Sequence, residues 1–309
     1  MRVLVIGGTG FIGQHLVARL VAEGHQVVVP TRRYRHAREL LPLPTVTVQQ
    51  ADVHDDAQLK ALALDVEAVV NLVGVLHSRP GQPYGPEFKR AHVDLPARIA
   101  NACLAGGVKH LVHISALGAS ATGSSGYARS KAAGEAAIRD ALQGKGVTFS
   151  IIQPSVVFGP EDNFMNLFAG LSIVMPVMLL AGAGARLQPV YVGDVVKAIT
   201  TCLVNPLCRD KTYPLGGPQA FALGELVSLA ARWAGHPRPV VALPWALGYA
   251  QARLFECLPG TPLMSRDNLD SLKTDNVLVG PLAPELGIVP TPLEAVAPGY
   301  LGRRLGPRS

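Results

Sequence analysis

The chain has 309 residues, 49% hydrophobic and 16% charged, with a formal net charge of +6, a pI near 9.3 and a mean hydropathy of +0.27. That length allows one large domain, or a large one with a small companion, and so apolar a composition excludes a disordered chain. The positive balance fits an anionic cofactor or membrane surface better than nucleic acid: apart from Arg32-Arg33 and the tail Arg303 to Ser309 the charges are scattered, and no basic block is interleaved with aromatics.

The chain opens on Arg2-Val-Leu-Val-Ile6, an unbroken apolar run typical of a strand buried on both faces. No charged n-region or cleavage site precedes it, so no targeting segment is expected. Gly7-Gly-Thr-Gly10-Phe-Ile-Gly13 predicts a turn. Phe11 to Glu23 predicts a helix, with Phe11, Ile12, Leu16, Leu20 and Val21 at helical spacing, closed by Gly24; Gln26 to Val29 starts a second strand. Glycines between the first strand and first helix of such a βαβ unit allow a tight turn and let the backbone approach a pyrophosphate at the helix N-terminus. Gly7, Thr9, Gly10, Phe11 and Ile12 are therefore expected at a dinucleotide.

The end of the second strand bears on which dinucleotide. An Asp or Glu there binds the ribose 2′-hydroxyl, but Pro30-Thr-Arg-Arg33 has no carboxylate. Arg32 and Arg33 offer charge for a 2′-phosphate, so NADP(H) is expected over NAD(H), the alternative being two solvated arginines. Val46-Thr-Val48 predicts a third strand, followed by Asp52 and Val53 where an adenine would lie. Val66 to Val73 predicts a fourth, with Leu72, Val73 and Gly74 expected at the cofactor. Glu87 to Leu104 predicts a long amphipathic helix, Lys109 to Ser115 a fifth strand, Tyr127 to Leu142 a helix and Val147 to Gln153 a sixth strand. Strands alternating with helices predict an α/β fold, a Rossmann-type doubly wound parallel sheet over about residues 1–160.

Tyr127 and Lys131 stand four apart on the helix after strand five, and so share a face. An ammonium beside a phenol stabilises the phenolate and lowers its pKa, and such a pair suits proton transfer coupled to hydride transfer at a carbonyl or alcohol. Ser124 or Ser125 is expected to cap this helix.

Beyond strand six lies a charge-free stretch, Asn163 to Ala185, as long as a membrane span but interrupted by Pro176 and several glycines. It is expected to be a buried segment, with an apolar contact face as the alternative; Met165, Met175 and Met178 fit either. Leu187 to Val192 looks strand-like, and Asp194 is expected to cap the next helix. Helices are predicted over Leu223 to Ala234 and Ala246 to Leu258, with proline-rich loops around them. Residues 161–309 thus mainly form a small C-terminal α/β lobe, with about 186–216 returning to the core. Cys103, Cys202, Cys208 and Cys257 show no CxxC spacing and accompany no histidine cluster, so buried free thiols and no metal site are expected.

The order Gly7-Gly-Thr-Gly-Phe-Ile-Gly13, Asp52-Val53, Asn71-Leu-Val-Gly74, His113-Ile-Ser115, Tyr127-x-x-x-Lys131 and Pro154-Ser-Val-Val-Phe-Gly159 resembles an extended or atypical short-chain dehydrogenase/reductase, the NAD-dependent epimerase/dehydratase type. Further stretches are similar to the branch containing the nucleotide-binding accessory subunit of respiratory complex I and its bacterial relatives: Ser115-Ala-Leu-Gly118, Tyr127-Ala-Arg-Ser-Lys-Ala-Ala-Gly-Glu135, Phe158 to Phe164, Gln188 to Val192 and Ser265-Arg-Asp-Asn-Leu269. The resemblance implies bound NADP(H), with the nicotinamide amide near Pro154, Val156 and Val157 and its ribose held by Tyr127 and Lys131.

The chain departs from the catalytic branches at four positions. Ala116 and Leu117 stand where a Ser or Thr follows the strand-five serine, so Ser115 is either a substrate-orienting group or a structural hydroxyl. His92 stands where those branches have an asparagine of the proton relay and either takes its place or packs, with packing expected, and Gln153 replaces an arginine. Three functions follow. The first is an oxidoreductase or epimerase/dehydratase with Tyr127 as acid/base, acting on a hydrophobic substrate, since the charge-free stretch offers no diphosphate ligands for a sugar nucleotide. The second is an accessory or assembly protein holding NADP(H) structurally and docked on a membrane complex. The third is an NADPH/NADP sensor. Each predicts a cytoplasmic protein, peripheral to the inner membrane in the second case.

Overall fold

The structure is a computed structural model that describes residues 1–260 and 262–302; the basic tail Arg303 to Ser309 lies outside the described residues. The first half alternates as expected. β1 (Arg2–Ile6), α1 (Phe11–Ala22), β2 (Gln26–Thr31), β3 (Val46–Gln50), α2 (Asp56–Ala63) and β4 (Ala68–Asn71) come first. α3 (Pro86–Phe88), a π-helical turn (Lys89–Asp94) and α4 (Leu95–Gly106) follow one another without a break, then β5 (His110–Ile114), α5 (Gly126–Leu142) and β6 (Thr148–Pro154). α2 carried no pattern that separated it from its loops; the carboxylate of Asp55 caps it by accepting from the Ala57 and Gln58 N–H groups.

The second half is built from shorter pieces. They are β7 (Val157–Phe158), α6 (Met165–Val174), β8 (Met178–Ala181), β9 (Arg186–Leu187), β10 (Val190–Tyr191), α7 (Val192–Val204), β11 (Lys211–Leu215), β12 (Phe221–Ala222), α8 (Leu223–Trp233), β13 (Val240–Leu243), α9 (Trp245–Cys257), α10 (Arg266–Ser271) and α11 (Leu293–Leu301). β11 joins the large sheet, which runs β11-β6-β5-β4-β1-β2-β3 with every pair parallel. The order reverses between β1 and β4, and in open α/β sheets the crevice at such a point, outside the carboxyl ends of the strands, is where ligands bind.

Side chains alternate across this sheet. Val3 and Val5 pack with Leu16, Leu20 and Ile199 under α1 and α7, while Leu4 and Ile6 pack with Leu59, Ile99 and Ile138 under α2, α4 and α5. Val3, Leu4, Val5 and Ile6 are each at most 1% exposed, and each such burial contributes about 1.5–3 kcal/mol. A third core, around Phe158, Met165, Leu226 and Leu293, belongs to the C-terminal lobe.

Several expectations change here. The charge-free stretch divides into α6, which buries Met165, Asn166, Ala169 and Ser172, and β8, which pairs with β13. Among the described residues no helix is long and apolar enough to cross a membrane. Pro189 splits the strand-like run Leu187 to Val192 into β9 and β10, and α7 begins at Val192. Asp194 sits in the first turn of α7 without capping it; its carboxylate instead accepts from the N–H and hydroxyl of Thr291, at 2.7 and 3.1 Å. All four cysteines are free, but Cys257 is exposed rather than buried.

Candidate functional site

The residues singled out above gather along one edge of the sheet, because each follows the carboxyl end of a parallel strand. Gly7 follows β1, Arg32 and Arg33 follow β2, Asp52 and Val53 come just after β3, Leu72 to Gly74 follow β4, Ser115 follows β5, and Pro154 ends β6 with Val156 and Val157 beyond it. Gly7 adopts φ +88°, and a Cβ on it would lie 3.2 Å from the Leu72 backbone and 3.3 Å from the Val73 N–H, so the turn rests directly on the end of β4. Gly13 brings α1 against the same turn. Gly10 is the N-cap of α1; a Cβ there would meet only the Gly7 carbonyl, at 3.3 Å, and the space beyond is open. The N–H groups of Phe11 and Ile12 open the helix and have no intrahelical partner, and no acidic side chain stands in its first turn. Thr9 lies in the same turn.

At the outer strands, the Ala51 N–H donates to the Thr31 carbonyl at 3.1 Å and the Gln50 amide to the Arg32 carbonyl at 3.4 Å. This joins the Arg32-Arg33 corner to the Asp52-Val53 corner. Both arginine side chains are exposed, and Asp52 and Val53 are half-buried. At the other end, Pro154 accepts from the Leu117 N–H, Val156 accepts from the Val190 N–H, and Val157 pairs with Val190.

The centre of the edge is one face of α5. Ser125 caps that helix by accepting from the Ala128 N–H at 3.1 Å, whereas Ser124 donates to the Asp270 carbonyl. Lys131 is 4% exposed and its Nζ donates to the Ile114 carbonyl at 3.1 Å, 5.9 Å from the centroid of the Tyr127 ring. Its Nζ lies 3.4 Å from where a Cβ on Gly74 would stand. Burial pulls the lysine down to about 8, against the opposing pull of Glu135. Burial likewise pushes the Tyr127 phenol up to about 12. The expected lowering of that phenol by Lys131 does not prevail over desolvation here, and one of the three ammonium N–H groups goes to the Ile114 carbonyl.

His92 lies in the π-helical turn, beside Tyr127. Its Nε2 accepts from the Val75 N–H at 3.0 Å, so Nδ1 carries the proton and donates to Ser130 Oγ at 2.9 Å. The ring stacks on Phe88 and meets Tyr127 edge-on, with centroids 5.4 Å apart. Burial first, then the charge of Lys131, drives it down to about 2, so it packs as a neutral ring with both nitrogens engaged.

Ser115 points away from the edge. Its hydroxyl donates to Glu135 Oε1 at 2.5 Å, the Gln153 amide donates to the same oxygen at 2.7 Å, and Arg139 pairs with Oε2 at 3.0 Å. Sequence reading missed Glu135, although it extends the Tyr127, Lys131 series by one more step of four. It also missed the buried pair Asn71 and His113. There the Asn71 amide donates to Nδ1 at 3.1 Å, burial pulls the imidazole down to about 3, and Nε2 has no partner among the described residues.

Comparison with known proteins places this geometry in context. The chain is 32% identical over 302 residues to NADH dehydrogenase (ubiquinone) 1 alpha subcomplex subunit 9, mitochondrial, of Mus musculus, covering 94% of this chain and 77% of that one. It is 30% identical over 209 residues to the ceramide reductase of Caulobacter vibrioides, covering 66% of this chain and 62% of that one. Among solved structures, MoeE5 in complex with UDP-glucose and NAD shares the fold, with a TM-score of 0.69 at 21% identity over 99% of this chain and 100% of that one. The profile of one family spans residues 3–216, the whole sheet and the edge just described, and the chain belongs to that family, the NAD dependent epimerase/dehydratase family.

Proposed function

We propose that this chain binds NADP(H) along the carboxyl edge of its sheet and holds it as a lasting part of the fold, with Tyr127 and Lys131 gripping the nicotinamide ribose rather than driving turnover. The observation that carries this reading is the commitment of Ser115 to Glu135. With Ala116 and Leu117 beside it, no hydroxyl at the end of β5 is left to orient a substrate. Burial holds the Tyr127 phenol protonated at neutral pH, where it is available as a donor to the ribose.

The residues fit the dinucleotide. The open N-terminus of α1 behind Gly10 suits a pyrophosphate. Arg32 and Arg33 are exposed at the end of β2, where no carboxylate stands, and suit a 2′-phosphate. When bound, the dinucleotide supplies hydride chemistry. The C-terminal lobe exposes apolar side chains at two places, either of which offers a partner an apolar face: Ile173, Val174 and Met175 at the end of α6, and Leu179 with Val241, register partners on β8 and β13. That face favours an accessory role at the surface of a membrane complex, in keeping with the similarity to a complex I subunit. A second reading, NADPH-dependent reduction of an apolar carbonyl compound, draws on the retained Tyr127 and Lys131 and on the similarity to a protein named ceramide reductase.

The test is the dissociation rate of NADP(H) and of NAD(H) from purified protein. Release over many minutes with tighter NADP(H) is expected. Fast exchange would favour the second reading, and tighter NAD(H) would overturn the assignment of Arg32 and Arg33. Under the second reading Tyr127→Phe abolishes turnover.

A further inference from the structure

We infer that Asp267 is a positioning residue for Tyr127: its carboxylate, brought from the C-terminal lobe, fixes the first turn of α5 and so aims the phenol that meets the dinucleotide. Asp267 Oδ1 accepts from the Gly126 N–H at 2.6 Å and Oδ2 from the Tyr127 N–H at 3.1 Å. These are the first two donors of a 17-residue helix and have no partner within it. Ser125 covers the third, at Ala128. α5 has no acidic side chain in its own first turn, so Asp267 supplies the negative charge that its positive end favours. Glycine at 126 permits the approach, since a Cβ there would stand 3.0 Å from Oδ1 and 3.4 Å from Tyr84 Cα.

The carboxylate is firmly mounted. α10 is capped by Ser265 and Asn268, Leu269 is buried with Ala181 and Ala252, and Arg266 pairs with Glu256 at 2.9 Å. The segment that carries it also ties down the loops on the edge. Asn268 donates to the Leu76 carbonyl after β4, Asn276 donates to the Leu117 carbonyl after β5, and Ser155 after β6 donates to Asn276 Oδ1. One stretch of the lobe thus holds the ends of three strands and the start of α5 in register. The lobe sets where the Tyr127 phenol stands, although Asp267 acts only through backbone.

The inference rests on the reading that Tyr127 touches the nicotinamide half of NADP(H). Full-length protein is compared as wild type, Asp267→Asn, Asp267→Ala, Tyr127→Phe and the Asp267→Ala/Tyr127→Phe double variant. NADPH release is followed by nicotinamide fluorescence, and calorimetry measures 2′,5′-ADP, which lacks that half. Asp267→Ala is expected to speed NADPH release about tenfold, the worth of one hydrogen bond, and Asp267→Asn, which keeps one acceptor, about threefold. Affinity for 2′,5′-ADP stays unchanged, and Asp267→Ala adds nothing in the Tyr127→Phe background. Equal weakening of both ligands, or independent effects of the two substitutions, overturns the inference. Amide exchange gives a readout without ligand: Asp267→Ala is expected to speed exchange at Gly126 and Tyr127 but not at Ser130. If the wild type binds neither ligand, the cofactor reading falls, and unchanged protection at Tyr127 then overturns the positioning role by itself. Should Asp267→Ala not fold, Asp267→Asn carries each comparison.

Discussion

Gly13→Ala isolates what the glycine turn does for the fold from what it does for the ligand. A Cβ at position 13 would lie 2.4 Å from the Gly7 carbonyl oxygen and 2.6 Å from the Gly8 backbone. Ordinary contact begins near 3.4 Å, so α1 must retreat by 3.4 − 2.4, or about 1 Å. Both obstacles are backbone, and no rotamer change relieves them. Leu16, Val17 and Leu20 are fully buried under the same helix and resist the retreat. Overpacking of this kind costs about 3 kcal/mol at its upper end, offset by about 1 kcal/mol from the better helix former. A net loss of about 2 kcal/mol is expected, read as a lower urea midpoint. Gly10→Ala should do the reverse. Its φ of −84° strains no side chain, and the weaker N-cap costs about 1 kcal/mol. A methyl on the N-cap is expected, however, to obstruct a pyrophosphate approaching the Phe11 and Ile12 N–H groups. Loss of two charge-assisted bonds to phosphate would weaken NADP(H) about a hundredfold. A Gly13→Ala protein as stable as wild type, or a Gly10→Ala protein with full affinity, would refute this division of labour.

Glu135→Ala should destabilise the fold by about 3 kcal/mol, because Ser115, Gln153 and Arg139 all lose their acceptor, whereas Glu135→Gln should cost about 1 kcal/mol; a loss under about 1 kcal/mol for the alanine, by urea unfolding, would show that the carboxylate does not hold this network. Acid should unfold the protein early. His92, His113 and His110 are buried and held down to about 2, 3 and 4, so below pH 6.5 the unfolded chain binds more protons and stability falls, by up to about 4 kcal/mol per pH unit for three protons; a urea midpoint flat from pH 7 to 5 would contradict it. Lys131, pulled down to about 8 from 10.5, works in the alkaline range: between those values the unfolded chain again binds the extra proton, so this residue favours folding as pH rises while its grip on NADP(H) fades. NADP(H) affinity that does not decline above pH 8, or that declines equally in Lys131→Met, would remove Lys131 from the site.

Much of the first half of the fold was legible because β1, β2, β4 and β5 are buried on both faces and the turn after β1 needs glycine. Val3 to Ile6 reads as a strand without knowledge of any partner, and the positive φ at Gly7 and Gly24 marks the chain's reversals. The second half was less legible for a physical reason. In the stretch from Asn163 to Ala185 every residue is uncharged, so polarity does not separate the buried Met178 and Leu180 from the exposed Leu179. Only the pairing of β8 with β13, some sixty residues later, decides which face turns inward. Position on the edge was legible throughout, since the carboxyl ends of parallel strands collect whatever follows them.

What each edge residue does once there depended on neighbours that local sequence does not name. Tyr127, Lys131 and Glu135 follow one another at steps of four on a single helix face, and that spacing alone puts them in one row. Their partners differ: the Tyr127 ring packs edge-on against Phe88 and His92, Lys131 gives one ammonium N–H to the Ile114 carbonyl at the end of β5, and Glu135 takes the Ser115 hydroxyl. A chain that turned over substrate in the manner of the catalytic branches would need the third partnership undone. The Ser115 hydroxyl would have to leave a buried carboxylate that takes three donors, so Glu135 would give up one of them while keeping Gln153 and Arg139. The proposed holding of a dinucleotide leaves that network intact, whereas turnover through Ser115 would require breaking it, so the row on α5, more than the glycine turn, is where the two proposed readings differ.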